Sequence, residues 1–207
     1  MFPDYTPVER RIDGAIHYLG IALAGAGVAE LLWRSGATGD SRRIVAAAAY
    51  CIGLLATIGF SAGYHLIDRQ DWKEIVRRCD RTAIYLMIAG TYTPFALVAL
   101  GDGIGFVLLG AVWLIALCGI ALVWWRPRRF ERASIVIYLA LGWIGLPVFG
   151  ALPGTTLALL GAGGLLYSLG VCFHLWHRLP GQNAVWHGLV LVAAACHYVA
   201  VFRVLTG

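Results

Sequence analysis

Residues 103–125 read GIGFVLLGAVWLIALCGIALVWW, a run of 23 residues without a single charged side chain. A helix rises about 1.5 Å per residue, so this run crosses a hydrocarbon core about 30 Å thick. Six further runs of similar character lie on either side of it: 14–33, 44–66, 82–100, 134–152, 155–176 and 184–205. In hydrocarbon every backbone N–H and C=O must find a partner within the chain, so the runs are read as helices. The breaks GDG (101–103) and LPG (152–154) are thin, but two fused runs would be far too long for one bilayer, and Gly and Pro supply the turns. The expected fold class is an all-α membrane protein, a seven-transmembrane helix bundle forming one domain over residues 1–207.

Composition agrees with this reading. Of 207 residues, 60% are hydrophobic and 13% charged, and the mean hydropathy is +0.76. A soluble domain is about half apolar and a quarter charged, and so short a chain has no interior large enough for the excess. The 26 glycines suit helices that pack closely through small side chains. The formal charge of +5 does not point to nucleic acid, because the basic residues sit in short loops between apolar runs. The start, MFPDYTPVERR, is polar and carries acids, so no cleavable signal is expected. The five cysteines form no CxxC pair and mostly lie within apolar runs, where they read as buried thiols.

Orientation follows from the Lys and Arg balance. One side carries Arg10, Arg11, Arg69, Lys73, Arg77, Arg78, Arg81, Arg126, Arg128, Arg129, Arg132 and Arg178, twelve in all. The other carries four: Arg34, Arg42, Arg43 and Arg203. The amino terminus is therefore expected in the cytoplasm and the carboxyl terminus outside, in the cell's inner (plasma) membrane. Trp33, Trp72, Trp124, Trp125 and Trp176 fall near span ends, as an interfacial belt would. The charged stretch 68–81, DRQDWKEIVRRCDR, reads as an amphipathic interfacial helix or turn.

Ionisable groups inside spans are costly and are the first candidates for function. His65 ends the second span with Ser61 one turn earlier, Asp80 opens the third, and His187 lies early in the seventh with Asn183 one turn before it. The expected topology brings these five residues to a similar depth at the cytoplasmic leaflet. Two imidazoles, a carboxylate and small polar groups are what an open zinc site needs. Private hydrogen bonds between helices are an equal reading of the same residues. His197, ten residues beyond His187, is about 15 Å farther across the membrane and reads as structural. His17 could line the site but reads first as an interhelical hydrogen-bonding group. His174 and His177 read as interfacial, and Glu30 as a side chain reaching the far interface. Tyr92, Thr93 and Pro94 read as packing residues.

Three stretches resemble a known family: FSAGYH (60–65), DRTAIYLMIAGTYTPF (80–95) and NAVWHGLVLVAAACHYVAV (183–201). They are similar to the hemolysin III family, bacterial relatives of the progestin and adipoQ receptors, which include the adiponectin receptors. The resemblance covers nearly the whole chain. It implies seven spans, a cytoplasmic amino terminus and a zinc ion held by the histidine of S-x3-H and two histidines of H-x3-H on the last span, with an aspartate beside the metal through a water. Carried over, the ligands are His65 and His187, with Asp80 a ligand or the holder of the water and Ser61 a close neighbour. Asn183 stands where the first histidine of H-x3-H is expected, so it is a weak ligand or lines the site; Arg81 stands where a histidine often follows the aspartate. Three functions stay open: a zinc-dependent hydrolase of lipid amides, ceramide-like, with Asp80 and Ser61 as catalytic residues; a non-enzymatic regulator or sensor of membrane lipid state; and a cytolytic pore former. Membrane lipids or a fatty acyl substrate are the implied partners.

Overall fold

The computed structural model describes residues 6–66, 70–125, 130–176 and 178–207. Seven helices are long and apolar enough to cross a membrane, and no strand occurs among the described residues. They are α1 (Pro7–Ala37), α2 (Ser41–Leu66), α3 (Gln70–Pro94, continuing as a π-helix over Phe95–Leu100), α4 (Gly103–Trp125), α5 (Glu131–Trp143), α6 (Gly154–Leu175) and α7 (Gln182–Thr206). The chain is a multi-pass membrane protein. Asp68, Arg69, Arg126, Arg128, Arg129 and His177, all weighed in the sequence, lie outside the described residues.

Sequence neighbours pack in order from α1 to α4, α6 packs on α7, and α7 returns to α1, with α5 touching α3, α4 and α6 more lightly. Helix α3 is the axis of the bundle: 61% of its apolar stretch is buried in protein, against 22–33% in the others. The rest of each helix faces outward with apolar side chains, as lipid requires. Trp33, Trp72, Trp124, Trp125 and Trp176 are all exposed, consistent with an aromatic belt.

The close approach of α2 and α3 rests on two glycines. A Cβ on Gly53 would lie 2.8 Å from the Leu86 carbonyl oxygen, and one on Gly90 would lie 2.7 Å from that of Ala49. Without side chains there, dispersion contacts and backbone proximity drive the association that lipid tails do not oppose.

Proline shapes α3 and α5. Pro94 has no N–H for the preceding turn, and beyond it α3 widens into its π-helical end. Gly101, at φ 62°, closes it by donating its N–H to the Ala96 carbonyl. Helix α5 stops at Trp143 and reaches Pro153 through turns and a short 3₁₀ segment, Val148–Ala151. The Tyr92 hydroxyl bridges that break: it donates to the Leu141 carbonyl at 2.7 Å and accepts from the Gly145 N–H at 2.8 Å. Tyr92, expected only to pack, thus also satisfies backbone groups freed where α5 ends.

Two helices start well before the residue that hydropathy suggests, the others within three residues of it. The first was expected from residue 14 but begins at Pro7, because Thr6 and Glu9 cap it reciprocally: the Thr6 hydroxyl accepts from Glu9 N–H at 3.2 Å, and Glu9 Oε2 accepts from Thr6 N–H at 2.7 Å. The third was expected from residue 82 but runs unbroken from Gln70. The charged stretch 70–81 is therefore the first three turns of α3 rather than a separate interfacial element.

Candidate metal centre

The early start of α1 carries Asp13 and His17 into the bundle. They are one turn apart, on the face that continues through the buried Gly20, Ala24, Val28 and Leu31. Both are nearly inaccessible, at 4% and 5% exposure. At the same end of the bundle, α2 brings Ser61 and His65, α3 brings Asp80, and α7 brings Asn183 and His187.

Asp13 is the hub. His187 Nδ1 donates to its Oδ1 at 2.6 Å, and His65 Nδ1 lies 3.9 Å from its Oδ2. His17 packs over both histidines, with ring centroids 5.4 Å from His65 and 4.5 Å from His187; the latter two rings are 4.4 Å apart. His17 Nδ1 is 2.8 Å from the Asp13 backbone carbonyl, which can only accept, so this nitrogen carries the proton. In the neutral ring Nε2 is then an acceptor, and Ser61 Oγ–H, at 3.2 Å, donates to it. The Ser61 oxygen keeps its lone pairs for a further donor.

Asp13, His65 and His187 each offer a ligand atom, all within 4.8 Å of one another. Two imidazole nitrogens and a carboxylate oxygen suit a divalent transition metal. A carboxylate buried near hydrocarbon among three imidazoles is also costly unless a cation compensates it. On both counts the residues fit a metal ion.

The sequence singled out His65 and His187, and the structure sets them together. Asn183 is buried one turn from His187, and Ser61 and Asp80 line the same cavity. Asp80 stands outside the group whose ligand atoms converge. Asp13 was missed because hydropathy places it just ahead of the first span. Two signals could have found it: T-P-V-E (6–9), a capping box that starts the helix earlier, and the four-residue step from Asp13 to His17. His17 proves to be part of the cluster. His197 bonds the Leu160 carbonyl on α6 at 3.3 Å, the structural role expected. Glu30 pairs with Arg34 one turn on, at 2.5 Å.

The cluster opens into a cavity of about 1080 Å³. Helices α1, α2, α3, α6 and α7 and the α5 segment all contribute to its wall, which reaches as deep as Phe95, Phe149 and Leu160. That volume is at the upper end of small-molecule sites, enough for a ligand with a substantial apolar part.

Comparison with known proteins places this architecture. A family model described as "Haemolysin-III related" matches residues 6–198. "Hemolysin-3" of Bacillus cereus is 35% identical over 199 residues, covering 94% of this chain and 91% of that protein. "Hemolysin-3 homolog" of Bacillus subtilis (strain 168) is 33% identical over 201 residues, covering 95% and 94%. The human "Monocyte to macrophage differentiation factor" is 30% identical over 166 residues, covering 75% of this chain and 68% of that one.

Proposed function

The chain belongs to the haemolysin-III related family, and on that footing we propose that it is a zinc-dependent hydrolase of lipid amides in the cell's inner membrane. The observation that carries this reading is the convergence of Asp13, His65 and His187 at one end of a large, largely apolar cavity. The basic end of the bundle is assigned to the cytoplasm on the Lys/Arg balance, which puts the cluster at the inner leaflet.

Asp13, His65 and His187 would hold the zinc ion, the Asp13–His187 hydrogen bond giving way to bonds from both residues to the metal; Asn183, one turn before His187, lines the site. Zinc bound there supplies Lewis acidity, polarising an acyl carbonyl and acidifying a water. The chain's own groups do the rest. Asp80, in the cavity wall, is assigned to take the proton of the attacking water and return it to the leaving amine. Ser61, whose proton is committed to His17, accepts a hydrogen bond from that water and so orients it. The apolar chamber beyond holds the acyl chain and keeps bulk water from the reacting carbonyl. Its deep wall carries no charged side chain among the described residues, with Ile88, Phe95, Phe149 and Leu160 beside Thr91, Tyr92, Tyr167, Ser168 and His197, which favours an acyl chain over ions as its occupant.

The test is elemental analysis of detergent-purified protein, with hydrolysis assayed on acyl amides. Wild type is expected to hold one equivalent of zinc, and His65→Ala and His187→Ala to hold none and to be inactive. Asp80→Asn is expected to keep zinc and lose hydrolysis. Wild type that stays metal-free after purification with added zinc sinks the proposal.

A further inference from the structure

The cavity wall is not uniform in charge. Along α3 the lining residues Lys73, Arg77 and Arg81 recur every four positions and so share one helix face. The same face then turns mostly apolar: Ile84 and Ile88 follow, then Thr91, whose hydroxyl donates to the Met87 carbonyl, and Phe95 lies at the deep end. Across the mouth α1 adds Arg10 and Arg11. The lining residues thus include five cations and two carboxylates, Asp13 and Asp80; Glu74 pairs with Arg77 and Lys73 lies over the Tyr64 ring at 5.2 Å, so the lining carries more positive than negative charge even with these contacts made.

Register places the metal cluster within the cationic stretch. Gly63, between Ser61 and His65, packs on Val76 of α3, with its Cβ position 3.6 Å from Val76 Cγ1. Thr57, two turns before His65, reaches the Ala83 carbonyl at 3.1 Å. His65 is therefore level with the turn of α3 that carries Lys73 and Arg77, and the apolar wall begins deeper, past Arg81. Arg77 is held in place by Glu74, which accepts from its Nε at 3.1 Å and its Nη2 at 2.8 Å, so this guanidinium is fixed rather than sampling solvent. Topology alone asks for basic residues on this side of the membrane. It does not ask that five of them line the chamber that holds the histidines.

Building on the hydrolase reading of the same site, we propose that the substrate is a single-chain acyl amide with an anionic head, a carboxylate or phosphate within a few bonds of the amide. Neutral amides of the ceramide type are disfavoured. The acyl chain lies along Ile84, Ile88 and Phe95, the amide at the cluster, and the anion against Lys73, Arg77 and the two α1 arginines. A charge-assisted hydrogen bond to a fixed guanidinium is about twice as strong as a neutral one, which makes the head a determinant of selectivity.

The experiment is equilibrium binding to full-length protein in phosphatidylcholine nanodiscs, with zinc bound and after chelator treatment. Three probes share one chain: N-palmitoylglycine, N-palmitoyl phosphoethanolamine and N-palmitoylethanolamine. At least one anionic probe is expected to bind roughly tenfold more tightly than the neutral one, and comparing the two tells carboxylate from phosphate. Arg10→Gln/Arg11→Gln and Lys73→Gln are expected to shrink that ratio severalfold while leaving neutral-probe affinity unchanged, which also reports an intact fold. Equal binding of all three probes by wild type overturns the proposal, as does a ratio that survives in both variants. A ratio that disappears when zinc is removed also overturns it, since the metal and not the cations would then hold the anion. A ratio that persists in chelator-treated protein supports the anionic subsite even if the zinc content of wild type refutes the hydrolase.

Discussion

Replacing Asp13 by Asn keeps the side chain's shape and one acceptor oxygen, removes its charge and turns the other oxygen into a donating amide group. The carboxylate's side chain is 6% exposed, so bulk water screens its charge little. Its two oxygens face different partners: Oδ1 takes the His187 Nδ1 proton at 2.6 Å, and Oδ2 lies 3.9 Å from His65 Nδ1. If Asp13 served only to orient His187, its loss would lower metal affinity by about 10- to 100-fold. As a ligand it instead exchanges that hydrogen bond for the metal and supplies the one negative charge in the converging group. Breaking a buried ion pair costs about 3–5 kcal/mol, or roughly a hundred- to a few-thousand-fold in affinity. We expect Asp13→Asn to weaken zinc binding by more than about 100-fold, measured by competition with a chromophoric chelator on detergent-purified protein. The apo variant should melt no lower than apo wild type, because a buried charge has been removed. A change in affinity under threefold would refute the reasoning and remove Asp13 from the site.

Other expectations follow from the same contacts. Asn183→His in the Asp13→Asn background should restore much of the lost zinc affinity, because it returns a third strong donor one helical turn from His187; no recovery would mean that position 183 points away from the cluster. Gly90→Val should lower thermal stability by about 1–3 kcal/mol, since its side chain meets the Ala49 carbonyl, whereas Gly110→Val, with open space around it, should not; equal melting curves would show that the α2–α3 contact is looser than described. Reporter fusions should place the amino terminus inside and the carboxyl terminus outside, and activity on the same side at both ends would contradict the odd number of spans.

The spans were legible because an uncharged run such as 103–125 has one physical solution in lipid. The depth match of His65 and His187 was legible for a related reason: once the spans alternate, the end of the second and the start of the seventh must share a side. Helix starts were harder, because a hydropathy reading begins a helix at its first apolar residue, whereas the backbone begins it where its orphan N–H groups are satisfied. That difference hid Asp13 behind the capping box of α1 and made the first turns of α3 look like a separate interfacial helix or turn. The cost argument that singled out Asp80 applies with greater force to Asp13, once six residues of helix precede it and carry it into the bundle.

What no single stretch could reveal is a pairing across helices. Read along α7 alone, Asn183 in place of a histidine is a lost donor, and the site appears weakened. Read in three dimensions, the ring of His187 meets a carboxylate that arrives from α1, 174 residues away in sequence. Donor count at such a cluster belongs to the set of helix ends gathered at one depth and not to any motif. A substitution on one helix is therefore interpretable only with the residues that the other helices bring to the same ring.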